Sequence, residues 1–208
     1  MLHTQTIERD TLELLKGLMS MPELASFTLV GGTNLALKFG HRLSIDLDLF
    51  SKESFNVDEI YEAILLKYPN TQLASRSNTM LFTYTNEIKL DFVYLPYPYL
   101  APIETYDNIR MLSLTDIAAM KLNAISRRGV KKDFWDMAEL LEHYSIEQML
   151  AFYKKKYSTH DIFHLLRALI YFTDAEKQKD PDPIKKITWK QVKTKIEKAV
   201  KQYLDASI

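Results

Sequence analysis

Apolar residues recur at helical spacing between Glu8 and Met19, with Leu12, Leu14, Leu15, Leu18 and Met19 forming a stripe, so a helix is expected there. Met21-Pro22 breaks it. The short apolar run "FTLV" reads as a buried strand that ends at Gly31-Gly32. Thr33 is then placed to cap a short helix, "NLALKF", closed by Gly40. Leu43 to Phe50 alternates and reads as a second strand. "NVDEIYEAILLKY" has the spacing of an amphipathic helix, and Pro69-Asn70 turns the chain. "TQLASRS", "TMLFTYTN" and "IKLDFVYLPY" read as three further strands, with Asn86-Glu87 turning between the last two.

Beyond Pro96, Pro98 and Pro102 the period changes from two to about 3.6. Ser113 and Asp116 give a Ser-x-x-Asp start signal for "DIAAMKLNAISRR", which stops at Gly129. "KKDFWDMAELLEHY", "IEQMLAFYKKKY", "DIFHLLRALIYF" and the lysine-rich "TWKQVKTKIEKAVKQYL" continue as helices, with Asp180-Pro181-Asp182-Pro183 as a loop. The expected fold is α+β. An α/β-like first half, residues 1–100, carries a mixed sheet with flanking helices. A helical second half, residues 101–208, closes over a cleft.

At 208 residues, 47% hydrophobic and 26% charged, the chain is long enough for a proper core without staples. It contains no cysteine, which excludes disulfides and thiolate metal sites and fits a reducing compartment. The N-terminus does not read as a signal peptide, and no apolar run approaches the roughly 18 residues of a membrane span. The expected address is the cytoplasm. The net charge of zero hides an asymmetry: residues 151–208 carry 13 Lys and Arg against 7 Asp and Glu, and residues 1–150 carry 14 against 20. Two solvated surfaces would account for this, as would one surface for cations and one for a polyanion.

Two features of "FTLVGGTNLALKFGHRLSIDLDLFS" do nothing for a core. Gly31 and Gly32 sit side by side in a chain with five glycines, and Asp46 and Asp48 interrupt an apolar strand. Residues i and i+2 of a strand share a face, so the two carboxylates should project together while Ile45, Leu47 and Leu49 face the core. Parallel like charges repel unless a cation lies between them. Asp91, inside "IKLDFVYL", is a third strand acid of the same kind. Three such carboxylates suit a two-metal phosphoryl- or nucleotidyl-transfer site, with Mg²⁺ as the hard cation for oxygen ligands. The glycine pair would let backbone approach a phosphate at a helix start. Taken singly, the glycines also read as a tight turn and the acids as a solvated strand face.

The order Gly31-Gly32-Thr33, Asp46-x-Asp48 and Asp91 resembles the DNA polymerase beta-like nucleotidyltransferase superfamily. "GGTNLAL…HRLSIDLDLF" with "MKLNAISRRGVKKDFWDMAELL" is similar to the AbiEii/AbiGii toxin family within it, over roughly residues 25 to 142. The Arg-x-Ser-x-Asp-x-Asp string at Arg42, Ser44, Asp46 and Asp48 carries the resemblance, as do Lys121 and the Lys-Asp-x-x-Asp at Lys132, Asp133 and Asp136. It implies transfer of a nucleotide from an NTP to an acceptor, RNA or tRNA in some relatives, with two Mg²⁺ ions when NTP is bound and an antitoxin as partner. It also implies that Asp46, Asp48 and Asp91 hold metal, with Asp91 as a possible general base. Gly31, Gly32, Thr33, Asn34, Arg42 and Ser44 would bind nucleotide. Lys121 would reach the triphosphate from the helical half, and Asp133 or Asp136 would orient the lysine or the nucleotide.

Each assignment has a plainer version. Lys121 and Arg128 could form a solvated stripe, and Asp133 and Asp136 could be acids favoured by a helix dipole. His160 and His164 have the spacing of a zinc pair, but no third ligand is in view and a packing or surface role is preferred. Lys154-Lys155-Lys156 and the lysines from Lys185 to Lys201 fit a solvated face or an RNA-binding one. At the level of function, a small-molecule nucleotidyltransferase, a lapsed binding module and a protein-docking role stay open.

Overall fold

The computed structural model describes residues 1–158 and 162–206. In chain order the elements are helix α1 (Arg9–Met19), strand β1 (Thr28–Leu29), helix α2 (Gly31–Phe39), strand β2 (Leu47–Ser51), helix α3 (Val57–Lys67) and strands β3 (Gln72–Ser77), β4 (Met80–Thr85), β5 (Ile88–Tyr94), β6 (Glu104–Tyr106) and β7 (Ile109–Met111). Six helices follow: α4 (Leu114–Arg128), α5 (Lys131–Leu140), α6 (Ile146–Tyr157), α7 (Phe163–Leu169), α8 (Thr173–Glu176) and α9 (Trp189–Ala206). The fold is α+β, with one mixed seven-stranded sheet in the order β3-β4-β5-β2-β1-β7-β6. β2 runs parallel to β5 and β1 parallel to β7; the remaining pairs are antiparallel.

Local chemistry explains the boundaries that matter. The Asn56 side chain accepts hydrogen bonds from the backbone N–H groups of Asp58 and Glu59 to start α3. Ser113 accepts one from Asp116 to start α4, as its spacing predicts. The β4–β5 turn is Asn86-Glu87, both with positive φ.

The sheet divides the interior into two cores. On one face Leu47, Leu49, Leu90 and Phe92 pack with Leu14, Leu15 and Leu18 of α1 and Ile60 and Ile64 of α3. The second core lies among the helices, where Ile117, Leu122, Phe134, Met137, Met149 and Leu169 meet Val30 and Leu35 from the first half. Because side chains alternate along β2 and β5, Asp48 and Asp91 project away from the first core.

Several expectations are corrected. The strand expected from Leu43 to Phe50 begins only at Leu47. The backbone ahead of it is bonded elsewhere: Leu43 N–H donates to the Asp182 carbonyl, Ser44 N–H to the Thr6 carbonyl, and Arg42 bridges Pro183. Ile45 is consequently 58% exposed instead of facing the core. The helix placed after Thr33 begins at Gly31, with Val30 at its N-cap, so Thr33 lies in the first turn and caps nothing. Prolines 96, 98 and 102 lead into the β6–β7 hairpin before any helix, turned by Asp107-Asn108 with positive φ. Of the segment "DIFHLLRALIYF" only Phe163–Leu169 is helical, as α7, and the short α8 follows after the segment ends. His160 lies outside the described residues.

The proline segment is fastened by a buried ion pair. Lys156 of α6 donates to Asp116 at 2.7 Å and to the Pro98 carbonyl at 3.0 Å, while the Asp116 carboxylate accepts the Leu100 N–H at 3.0 Å. Both side chains of the pair are fully buried. Lys156→Ala should therefore lower stability by about 3–5 kcal/mol, because it leaves Asp116 charged and uncompensated in the interior. Urea unfolding at neutral pH measures this, and an unchanged midpoint would contradict it.

Candidate active site

Parallel pairing of β2 with β5 sets Asp48 directly opposite Asp91. Asp46 lies one residue before β2, and its carboxylate accepts from Lys132 of α5 at 3.0 Å. Lys89, two residues before Asp91 on the same face of β5, donates to Asp91 Oδ2 at 2.5 Å. Asp91 Oδ1 is buried with no hydrogen-bond partner, and no ion pair or hydrogen bond reaches the Asp48 carboxylate among the described residues. Burial, followed by the charge of Asp91, pushes the Asp48 carboxyl up to about 6, with Asp46 adding to the effect and Lys121 and Lys132 opposing it.

The glycine pair makes room for this cluster. A Cβ on Gly31 would stand 2.1 Å from Asp48 Oδ2, and the positive φ of Gly31 disfavours any other residue there. A Cβ on Gly32 would stand 2.2 Å from Arg42 Nη2. In the structure, then, what comes close to the glycines is the chain's own carboxylate and guanidinium. No side chain caps α2, so the N–H groups of its first turn face this region with the positive end of the helix dipole.

Behind the glycines lies a network joining the two halves of the chain. Asp136 of α5, wholly buried, accepts from Arg42 Nε at 2.7 Å, Arg42 Nη2 at 2.9 Å, His41 Nε2 at 2.8 Å and Lys121 Nζ at 2.6 Å. Lys121 also donates to Asp133 at 2.8 Å, and Arg128 adds a bond to Asp133 at 2.8 Å. Burial alone would raise the Asp136 carboxyl, but Arg42 and Lys121 outweigh it and hold the group well below the ordinary range. Burial works against charge on Lys121 too, yet Asp133 and Asp136 keep its pKa raised. These residues are not a solvated stripe or free dipole-favoured acids. The fold keeps Lys121, Asp133 and Asp136 charged in its interior, with the half-exposed Arg128 closing over Asp133.

The remaining expected site residues brace this frame. Thr33 donates to the Asp46 carbonyl and shares a 2.8 Å hydrogen bond with Ser44, tying α2 to the acid-bearing segment. Asn34 is buried and donates to the carbonyls of Leu29 at 2.8 Å and Leu112 at 3.0 Å, where β1 and β7 end. Sequence reasoning missed His41 and Lys89. Lys89 was findable, since it stands two residues from Asp91 by the rule that paired Asp46 with Asp48; the burial of His41 has no local signal.

The donor set fits a divalent cation. Asp48 and Asp91 offer hard oxygens side by side, one of them unpartnered and both close to charges that a cation would relieve. Among the described residues, no three acids or imidazoles are gathered into a ready-made metal cage. Asp46 is held toward Lys132 instead.

The architecture is that of known nucleotidyltransferases. MenT4, a nucleotidyltransferase toxin from Mycobacterium tuberculosis H37Rv, superimposes with a TM-score of 0.57 at 14% identity, over 95% of this chain and 86% of that one. JHP933 from Helicobacter pylori gives 0.55 at 17% identity, over 97% and 96%. In sequence, the Aquifex aeolicus (strain VF5) protein aq_aa25 is 29% identical over 210 residues, 96% of this chain and 98% of the other. The sequence model of the nucleotidyl transferase AbiEii toxin family, of type IV toxin–antitoxin systems, matches residues 13–206, and the chain belongs to that family. It is a nucleotidyltransferase.

A carboxyl whose folded-state pKa lies above its ordinary 3.8 destabilises the native state when ionised. That penalty is absent below about pH 4 and complete once the pH has risen through 6. In metal-free buffer Asp48→Asn should therefore raise stability by roughly 2–3 kcal/mol near pH 8, with the gain fading as the pH falls toward 4. Denaturant unfolding across that range measures it. A gain independent of pH, or none, would contradict the electrostatic cause.

Proposed function

We propose that the protein transfers a nucleotidyl group from an NTP to a hydroxyl of an RNA acceptor, with Mg²⁺, as the toxin of a toxin–antitoxin pair. The observation that carries this reading is the placement of Asp48 opposite Asp91, against Gly31 and the uncapped start of α2. Magnesium held by Asp48 and Asp91, with Asp46 alongside, would supply charge neutralisation for the phosphates.

The chain's own residues do the rest. The first-turn N–H groups of α2 receive phosphate oxygens. Asp136 and Asp133 hold Arg42 and Lys121 beside that helix start, a fixed positive backing for the nucleotide. Asp91 Oδ1, with no partner of its own, takes the proton of the acceptor hydroxyl. The acceptor oxygen bonds to the α-phosphorus as the bond to pyrophosphate breaks.

For the acceptor, the basic C-terminal region supports a polyanion, although part of its charge is spent within the fold. Lys185 pairs with Glu139, Lys193 with Glu176 and Lys195 with Glu142. Lys154, Lys155, Lys177, Lys179, Lys186, Lys190, Lys198 and Lys201 have no ion pair among the described residues and are lysines available to RNA. No helix among the described residues is long and apolar enough to cross a membrane.

Incubation with each labelled NTP, Mg²⁺ and total RNA should label RNA. Asp48→Asn should reduce labelling by at least about a hundredfold, the scale on which loss of an electrostatic catalytic group acts. Label that appears only in small molecules would overturn the RNA acceptor. No label anywhere would overturn the transfer reading.

A further inference from the structure

The carboxylates of the cleft already carry cations, and those cations belong to the protein. Lys132 Nζ lies 3.0 Å from Asp46 Oδ2, and Lys89 Nζ lies 2.5 Å from Asp91 Oδ2. The two lysines come from different elements. Lys89 shares the strand of its partner, whereas Lys132 reaches across from the first turn of α5 to a residue 86 positions away. Between them stands Asp48, with no ion pair of its own.

These two lysines differ from the buried cations of the region. Lys121 is 6% exposed and donates to two buried carboxylates, and Arg42 is bound to Asp136 through two nitrogens. Removing either from its place would strand a buried charge, which costs several kcal/mol. The Lys89 and Lys132 side chains are 39% and 43% exposed, and each makes one ion pair. Asp46 is 39% exposed, so the Lys132–Asp46 pair is worth no more than about 1 kcal/mol; Asp91 is 15% exposed and holds Lys89 more firmly, although the ammonium itself stays in water. A flexible ammonium in such a pair can leave at small cost, and a compact divalent cation competes for the same oxygens.

We propose that Lys89 and Lys132 are exchangeable counter-ions of the cleft: they occupy the carboxylates of Asp91 and Asp46 in the resting protein, and a nucleotide-borne divalent cation displaces them onto the phosphates. The inference rests on the metal-dependent reading above and adds two binding residues to it. It also sets an order of events. Free metal has to evict both lysines into water and gains little. Metal that arrives with a triphosphate gives the evicted ammoniums new anionic partners in the same step, so the pair binds far better than the metal alone.

Removing these lysines should have opposite effects on the two ligands, which a merely structural role would not produce. Titration calorimetry with Mn²⁺ alone should show Lys89→Gln/Lys132→Gln binding the ion at least about tenfold more tightly than the unsubstituted protein, because two competing ammoniums are gone. Titration with Mn²⁺ and a non-hydrolysable NTP analogue together should show the variant about tenfold weaker. A variant that binds both ligands as the unsubstituted protein does, or loses affinity for both, overturns the exchange. If the unsubstituted protein binds neither Mn²⁺ nor Mn²⁺ with the analogue, the metal-dependent reading itself fails. Circular dichroism of the variant confirms that the comparison is made on folded protein.

Discussion

Four donors from two halves of the chain converge on one carboxylate. Asp136 lies on a helix of the second half and is wholly buried; Arg42 and His41 come from the segment that leads into the acid-bearing strand, and Lys121 comes from the neighbouring helix. A carboxylate in that position is costly unless it is fully bonded, and here each oxygen is. The arrangement therefore does more than join two helices. It fixes Arg42 against Gly32, and through Arg42 it sets the start of α2 beside Asp48. The placement of Arg42 and of the α2 start follows from satisfying that one buried charge, while the β2–β5 pairing sets Asp48 opposite Asp91.

The cleft shows the opposite condition. Asp136 is over-supplied with donors and held ionised far below its ordinary range, while Asp48 has none and is pushed up to about 6. Two aspartates thus sit at opposite ends of the electrostatic scale within one site. The first is bonded within the fold and the second is left without a partner. Such a division is how a fold spends stability on function: the strain at Asp48, Asp91 and Gly31 persists because the ion-pair network behind it is strong. Lys89 and Lys132 partly relieve that strain without removing it.

Much of this was legible in the sequence because it depends on local periodicity. The acids at Asp48 and Asp91 interrupt apolar strands, and the pleat alone puts them off the core face. Ser113 and Asn56 announce their helices through side chains that bond nearby backbone. What was not legible depends on contacts far apart in the chain. Leu43 to Ile45 alternates like a strand, but its backbone is taken up by Thr6 and the loop near Asp182. The β6–β7 hairpin has strands of three residues each, too short to show a period. For Asp133 and Asp136, sequence spacing was equally consistent with exposed first-turn acids. Only the packing of α5 against α4 and α2 turns them inward.

The central claim, that the charge on Asp136 holds the halves in register, is tested most directly by Asp136→Asn, which keeps the shape and removes the charge. Equilibrium unfolding at neutral pH should show a loss of about 3–5 kcal/mol, because Arg42 and Lys121 are left as buried cations with their strongest partner neutralised. Stability within about 0.5 kcal/mol of the unsubstituted protein, the range of an ordinary surface change, would contradict the account.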